Sequence, residues 1–416
     1  MDKQKMLKPV KQGLVENWQQ FTILLMVNAF VGGMVGMERT ILPEFARHDF
    51  AMVAKSVILS FIIVFGFTKA ISNYFAGFLA NRVGRKNLLV IGWIIALPIP
   101  FLLFYAISWN WVIAANILLG INQGLCWSST VVMKIDLVGE KDRGFAMGLN
   151  EFSGYLAVAL VALLSAYIAN HYGLRPWPFV IGIFLSVAGL LSSIFLVNDT
   201  AKFKTQENLT SIVKPLNNIF LDTSFRQANL SSVTQAGMIN NLNDGMIWGL
   251  LPVLLISKGY NLTQTGMIVF IYPAVWGITQ LFTGRLADLI CNKILLFWGM
   301  LMQAIAILFL IYASQEIQYI LISVVLGLGT AIVYPTFITA IATDTNPEQR
   351  AESIGIFRLW RDSGYAFGAI LSGFLADRLG IGYAIGAIGA LTFISAIVIL
   401  IRMACPEKPV LATELI

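Results

Sequence analysis

Long apolar runs recur along almost the whole chain and constrain its fold more than any other feature. We count twelve, each roughly 18 to 25 residues long and separated by shorter polar stretches. A helix of that length is about long enough to cross the ~30 Å hydrocarbon core of a bilayer. Inside that core every backbone N–H and C=O needs a partner within the protein, which helices provide. The sequence therefore predicts an all-α integral membrane protein.

Composition agrees with this prediction. The chain has 416 residues and is 57% hydrophobic but only 12% charged, whereas soluble domains carry about 25% charged residues. The predicted spans are 20–37, 56–80, 88–106, 110–133, 145–169, 178–197, 228–256, 263–283, 290–313, 317–342, 351–376 and 382–403.

The basic residues outside the buried stretches predict the orientation, because cytoplasmic loops are enriched in Lys and Arg. With the N-terminus inside, 19 of them fall on the cytoplasmic side: Lys3, Lys5, Lys8, Lys11, Arg82, Arg85, Lys86, Lys134, Lys141, Arg143, Lys202, Lys204, Lys214, Arg226, Arg285, Lys293, Arg350, Arg402 and Lys408. Six fall outside: Arg39, Arg47, Lys55, Arg175, Lys258 and Arg378. We therefore expect a multi-pass protein of the plasma (cytoplasmic) membrane with both termini in the cytoplasm.

The second half of the sequence repeats the first. A shift of 207 residues superposes Gly77 on Gly284 and Arg143 on Arg350 without a gap, together with several other small residues. We predict two pseudo-symmetric six-helix bundles, residues 1–197 and 227–416, joined by a charged cytoplasmic linker at 198–226. Duplication with a binding site near the bilayer midplane, between the repeats, is a design of secondary transporters.

One loop carries a recognisable motif. Between the second and third spans the chain reads Gly77-Phe-Leu-Ala-Asn81-Arg82-Val-Gly84-Arg85-Lys86, and a shorter version, Gly284-Arg-Leu-Ala-Asp288, occupies the matching place in the second half. This loop resembles the signature of the major facilitator superfamily, and with the twelve-span, two-half layout the resemblance extends over nearly the whole chain. The resemblance implies the fold of that superfamily, transport of a small-molecule substrate by alternating access, and a gating role for the loop.

The loop also departs from the family pattern. The signature acid that helps to lock the two halves is Asn81 in the first half, whereas Asp288 keeps the acid in the second. The drug/proton antiporter branch has an Arg three residues before a Gln-Gly pair in the fourth span; here that position is Gly120. These departures make multidrug export a less favoured function for this chain. The sequence does not identify the substrate.

Several ionisable residues fall inside predicted spans, where a charge normally faces a cavity or a partner. Arg358, Arg361 and Asp362 share one face of the eleventh span. The 207-residue shift superposes Glu151 on Arg358, which puts an acid and a base at equivalent depths. Lys69 lies at a similar depth, and we expect it to contact Asp362. The alternative is that these charges only neutralise each other and fix helix packing.

Further candidates come from the spans that the resemblance places around a central cavity. They are Asn240 and Asp244, which share a face of the seventh span, and Gln123, Trp127 and Tyr334. We predict that Arg358, Arg361, Asn240, Gln123, Trp127 and Tyr334 bind the substrate. Glu151 and Asp244 are the candidates for proton coupling, because a carboxylate must change protonation as the cavity alternates.

Guanidinium groups bind carboxylates and phosphates through paired hydrogen bonds, so the leading prediction is a symporter or antiporter for a small organic or inorganic anion. One alternative is a proton-coupled exporter of cationic or amphipathic compounds, with Glu151 and Asp244 binding the cargo. The other is a membrane sensor that binds a ligand without moving it. We expect a monomer in the lipid bilayer that is not an enzyme, with no cofactor, no metal site and no nucleic-acid partner.

Two features at the margins leave alternatives open. Glu38 and Arg39 end the first span on the outer side, where they form either an extracellular gate or a solvated helix end. Cys126, Cys291 and Cys405 are far apart in the sequence, and we expect packing roles for them rather than a disulfide framework.

Overall fold

Twelve long helices account for most of the chain in the computed structural model, which describes residues 12–138, 143–200 and 215–405. They are α1 Trp18–Arg39, α2 Ser60–Val83, α3 Arg85–Phe104, α4 Trp109–Val138, α5 Arg143–Tyr172, α6 Trp177–Phe195, α7 Ala228–Ser257, α8 Leu262–Leu289, α9 Asn292–Leu310, α10 Glu316–Asp344, α11 Pro347–Arg378 and α12 Ile381–Arg402. All twelve predicted spans coincide with these helices. Helix α3 is interrupted at Leu97 and Pro98, between Arg85–Ala96 and Ile99–Phe104.

Shorter helices fill two of the connections. Leu42–Phe50 and Lys55–Ile58 lie between α1 and α2, and Ile219–Leu221 with the π-helical turn Asp222–Arg226 precedes α7. The predicted linker 198–226 falls partly on residues 201–214, which lie outside the described residues, so its boundaries stay a prediction.

Eight of the helical segments in the described part of the chain are long and apolar enough to cross a membrane by composition alone. Helices α4, α7 and α11 do not reach this standard, and each of them buries a charged side chain, such as Lys134 on α4, Asp244 on α7 and Asp362 on α11. Charged side chains are also buried on other helices, such as Arg39 on α1 and Glu151 on α5.

The two ends of the bundle need names. We call the end at which α1 begins and α12 ends the terminal end, and the end at which α1 stops, at Arg39, the distal end. The predicted orientation puts the terminal end in the cytoplasm.

Helix packing repeats between the two halves. Helix α1 packs against α5 as α7 packs against α11, and α2 packs against α4 as α8 packs against α10. The 207-residue shift carries Arg85, where α3 begins, onto Asn292, where α9 begins, and Trp109 of α4 onto Glu316 of α10. The predicted architecture of two pseudo-symmetric six-helix bundles is confirmed.

The halves meet through two helix pairs, α2 with α11 and α5 with α8. Glycine allows the close approach in both. A Cβ at Gly66 of α2 would lie 2.7 Å from the backbone nitrogen of Ala366, and one at Gly148 of α5 would lie 2.9 Å from the carbonyl oxygen of Gln280. Any larger side chain at these positions would push the bundles apart, so the interface depends on these contacts.

The distal end is closed where the halves meet. Asp377 at the end of α11 accepts hydrogen bonds from the backbone nitrogens of Lys55 and Ser56, at 2.6 and 2.9 Å. Toward the terminal end α11 is less covered: a Cβ at Gly355 would meet none of the described residues within 4 Å, and Arg358 is only half-buried. The central region is therefore sealed on the distal side and more accessible on the terminal side.

Two expectations from the sequence are wrong. Cys291 and Cys405 form a disulfide, because the turn between α8 and α9 and the residues after α12 meet at the terminal end although 114 positions separate them. Cys126 is free and buried, in a packing role. Lys134, assigned above to a cytoplasmic loop, is fully buried within α4, where its ammonium group donates to the carbonyl oxygen of Leu24 at 3.3 Å.

Candidate substrate site between the two halves

A buried ion pair on α11 forms the centre of the interface. The guanidinium of Arg361 donates from Nε and Nη2 to Oδ1 of Asp362 at 3.0 and 2.8 Å, and Asp362 is completely buried. Asn241 of α7 donates to the same oxygen at 3.2 Å, and Asn73 of α2 donates to Oδ2 at 2.5 Å. Asp362 therefore joins the second half to the first.

Arg358 lies one turn closer to the terminal end and is held differently. Its Nη1 donates to Oγ of Ser128 on α4 at 3.2 Å, and Ser128 in turn donates to Oδ1 of Asn73 at 2.7 Å. Among the described residues Arg358 has no carboxylate within ion-pair distance. Because its guanidinium is half-buried and faces the accessible side, most of its donors are available to a ligand.

Lys69 of α2 does not contact Asp362 as expected, because Asn73 takes that position. Its ammonium group instead lies over the rings of Phe65 and Tyr365, 5.6 and 4.8 Å from their centroids. The positive charge still acts on Asp362 at longer range. Lys69 therefore adds to the cationic character of the interface without being neutralised by direct pairing.

Glu151 of α5 faces this group from the first half and is 5% exposed. Its Oε1 accepts from Asn150 at 2.6 Å and from the indole of Trp127 at 3.3 Å, while Oε2 is buried and has no hydrogen-bond partner within the described part of the chain. Arg361 and Arg358 are the cations with the largest electrostatic influence on it. Glu151 and Arg358, which the 207-residue shift relates, therefore lie near each other without direct contact.

Asp244 has a different setting. Its Oδ1 accepts a short hydrogen bond from the hydroxyl of Tyr272 on α8, and that hydroxyl lies 3.2 Å from Oγ1 of Thr330 on α10. Asn240 accepts from Gln303 of α9 at 3.0 Å. Both residues thus make their hydrogen bonds inside the second bundle rather than across the interface between the halves.

Aromatic rings form a wall beside the charged groups. Tyr155 of α5 stacks on Trp276 of α8 with ring centroids 3.5 Å apart, and Trp127 is 5.4 Å from Tyr155. The hydroxyl of Tyr334 accepts from Arg361 at 2.8 Å. Of the predicted binding residues, Trp127 and Tyr334 are half-buried beside this wall, whereas Gln123 is buried and donates to the carbonyl oxygen of Val31.

The predicted gating loop lies away from the site, at the terminal end. Arg85 forms a buried ion pair with Asp136 of α4, and Thr200 donates to the same carboxylate at 2.7 Å. Lys86 donates to the carbonyl oxygen of Ile194 at 2.8 Å. Arg82 is in the last turn of α2 and Gly84 ends that helix with a φ of 91°. The packing around Gly77 and the side chains of Asn81 and Asp288 lie outside what the structure describes.

Sequence reasoning missed several residues that build the site. Asn73 and Ser128 link Arg358 to Asp362, and Tyr272 holds Asp244. Asn73 lies four residues after Lys69 on α2, so the helical period alone indicates that both share a face. The partners Ser128 and Tyr272 carry no comparable signal, because small and aromatic residues are common in membrane helices.

Comparison with known proteins gives the family. The family model of the Major Facilitator Superfamily matches twice, at residues 23–232 and 233–414. The chain belongs to the major facilitator superfamily. The two matches together extend over nearly the whole chain, in agreement with the repeat, and members of this superfamily are transporters rather than enzymes. The protein is therefore a multi-pass membrane transporter.

Characterised relatives within the superfamily are distant. The proton-coupled antiporter flippase LtaA of Staphylococcus saprophyticus is 23% identical over 87% of this chain and 88% of its own length. The multidrug resistance protein MdtG of Salmonella choleraesuis is 23% identical over 77% and 79%. The chain spans 63% of the length of an uncharacterised MFS-type transporter of Methanocaldococcus jannaschii, to which it is 24% identical over 59% of its own length.

A solved structure supports the fold. The human organic anion transporter MFSD10 superposes with a TM-score of 0.71, covering 92% of this chain and 99% of that one at 14% identity. At this identity the likeness supports the superfamily fold, and the substrate has to be argued from the residues of this chain.

Proposed function

We propose that this superfamily transporter moves a small organic or inorganic anion by alternating access, with Arg358 as the main anchor of the anion. The observation that carries the proposal is the difference between Arg358 and Arg361 of α11. Arg361 is paired with Asp362, whereas Arg358 faces the accessible side with one hydroxyl as its hydrogen-bond partner among the described residues. A guanidinium with unused donors in a partly desolvated site binds carboxylate or phosphate well.

The balance of charge supports an anion. Lys69, Arg358 and Arg361 contribute three positive charges at the interface, and Asp362, Asp244 and Glu151 contribute three negative ones when all are ionised, so protonation of Glu151 leaves an excess of one positive charge. An anionic solute removes this excess. A cationic solute would add to it, and charge repulsion in a site of low dielectric constant is costly.

Glu151 is the group through which we propose proton coupling. Its protonation leaves an excess of one positive charge at the interface and so strengthens anion binding. A proton and an anion that favour each other's binding will cross together, because coupling between two ligands is reciprocal. Asp244 is less suited to this role, since Tyr272 holds it inside the second bundle.

The predicted topology completes the proposal. With both termini in the cytoplasm, the accessible terminal side of the site faces the cell interior, and the described arrangement is an inward-facing state. We propose that the monomer is the functional unit, since both halves of the site lie in one chain.

The test is a transport assay with purified protein in liposomes. A panel of organic and inorganic anions is screened for uptake with and without an imposed pH gradient. We expect uptake of at least one anion, accelerated by a gradient that drives protons in the same direction. Uptake that is indifferent to pH rejects the coupling, and its stimulation by an opposing gradient would favour antiport.

The rival function is export of cationic or amphipathic compounds, which the distant likeness to MdtG favours. Replacing Arg358 and Arg361 together by Gln separates the two. The anion model requires that this double variant loses uptake of the anion. Preserved transport would remove the anion model and leave the acids as the binding groups.

A further inference from the structure

A further arginine is buried in the interface, on the distal side of the site described above. Arg39 ends α1 at the distal end and is 1% exposed. In the described part of the chain none of its three guanidinium nitrogens has a hydrogen-bond partner. A buried charge without a partner is costly, so a guanidinium in this position needs a reason.

The neighbouring acid attracts Arg39 electrostatically but accepts no hydrogen bond from it among the described residues. Glu38 accepts a hydrogen bond from Asn116 at 3.2 Å, and in the same part of the chain its Oε1 is buried without a partner. The ion pairs among the described residues do not include Arg39. The alternative of a solvated helix end is therefore wrong, because both Glu38 and Arg39 are inaccessible to water.

Aromatic rings surround Arg39 instead. Its Cζ lies 4.5 Å from the ring centroids of Phe65 and Trp248 and 6.0 Å from that of Phe61. Phe61 and Phe65 belong to α2 of the first half, whereas Trp248 belongs to α7 of the second. The cage is thus assembled from both halves, and it can exist only while the distal end is closed.

Lys69 continues the row of cations toward the centre. It shares the ring of Phe65 with Arg39, and it lines a small cavity of about 10 Å³ whose other walls include Trp127, Trp248 and Tyr365. Such a volume holds about one water molecule, so this cavity admits no solute while the distal end is closed. Separation of α7 from α2 would enlarge it and expose both cations on the same side.

We infer that Arg39 and Lys69 form a second anion subsite, which takes the carboxylate or phosphate group of the transported solute when the distal end opens. The inference rests on the proposed function, since the same solute would be held by Arg358 on the terminal side. In the closed state the rings stabilise the guanidinium by cation–π contact. When Trp248 moves away from Arg39 with the second half, the anion takes its place beside the guanidinium group.

This exchange links binding to the conformational change. An anion that contacts Arg39 only in the distally open state stabilises that state by its differential affinity. Glu38 and Asn116 also belong to the first half, so they stay close to Arg39 when the second half moves. The subsite is therefore a property of the first half that the second half covers and uncovers.

The test compares the two faces of the membrane. Uptake of the anion found in the liposome screen is measured in vesicles of both orientations, for the wild-type protein and for Arg39→Gln. We expect the KM at the distal face to rise about tenfold or more, as loss of a charge-assisted hydrogen bond does, with the KM at the terminal face unchanged. Arg47→Gln is the matched control, because Arg47 is exposed at the same end and pairs with Glu44.

Equal changes at both faces, or none at either, would overturn the inference. Trp248→Phe guards against a variant that merely fails to fold: a phenyl ring is a weaker cation–π partner, so the distal KM should fall. A distal KM that rises or stays the same contradicts the cage model. Wild-type transport in Arg358→Gln would count against the proposed function instead, so the two failures are distinguishable.

Discussion

Arg358 and Arg361 of α11 differ in their partners although one helical turn separates them. Arg361 donates two hydrogen bonds to the carboxylate of Asp362, and Arg358 donates one to the hydroxyl of Ser128. The first arginine is part of the structure, and the second is available to a ligand. This division of roles leads to separate expectations for each position.

Asp362→Asn should destabilise the protein, because it leaves the Arg361 charge buried without its counter-ion, at a cost of about 3–5 kcal/mol. Thermal unfolding in detergent would detect this as a lower melting temperature. The double variant Arg361→Met with Asp362→Leu should recover much of the stability, because apolar residues can replace a buried pair. A double variant no more stable than Asp362→Asn would contradict a simple ion pair.

Ser128→Ala removes the hydroxyl that positions Arg358 and that donates to Asn73. We expect the apparent affinity for the anion to fall by roughly three- to tenfold, as for a typical net hydrogen bond of about 1 kcal/mol. Ser128→Thr keeps the hydroxyl and should retain the affinity. An unchanged KM in Ser128→Ala would mean that the serine does not orient the guanidinium.

Glu151→Gln should make anion transport insensitive to a pH gradient while the anion still binds, because the amide cannot exchange a proton. Asp244→Asn is the comparison, and we expect it to keep the response to pH, since its hydrogen-bond partners lie inside the second bundle. Uptake at several pH values, with and without a gradient, distinguishes them. A pH response lost only in Asp244→Asn would reverse the assignment.

Gly66→Ala should weaken the closure of the distal end. Its new methyl group would lie 2.7 Å from the backbone nitrogen of Ala366, which belongs to the other half. The rate at which an impermeant maleimide modifies Leu59→Cys, a position buried in the distal seal, reports the opening. Gly355→Ala, whose methyl group meets nothing within 4 Å, should leave that rate unchanged. Equal rates in both variants would contradict the packing argument.

Much of the fold was predictable because hydrophobic length and repetition are properties of the sequence alone. All twelve helices followed from apolar runs, and the repeat followed from matches such as Gly77 with Gly284. The side-chain partners were less accessible. The helical period placed Arg358, Arg361 and Asp362 on one face. Asp362 is contacted by Asn73 rather than by Lys69. Which of these two α2 residues reaches Asp362 depends on the rotation of α2 relative to α11.

Contacts between distant segments escaped prediction for the same reason. Cys291 and Cys405 meet because two helix ends converge, and Lys134 is buried because α4 extends farther than its apolar run. Arg39 looked like a gate or a solvated residue, and its cage depends on Trp248 from the other half. No local pattern in the sequence contains that information.

The availability of Arg358 is the central claim, and equilibrium binding tests it most directly. The anion found in the liposome screen is titrated into purified wild-type protein, Arg358→Gln and Arg378→Gln, whose arginine is exposed at the distal end of the same helix. The account predicts an affinity reduced about 10- to 100-fold in Arg358→Gln and unchanged in Arg378→Gln. Wild-type affinity in Arg358→Gln would contradict it.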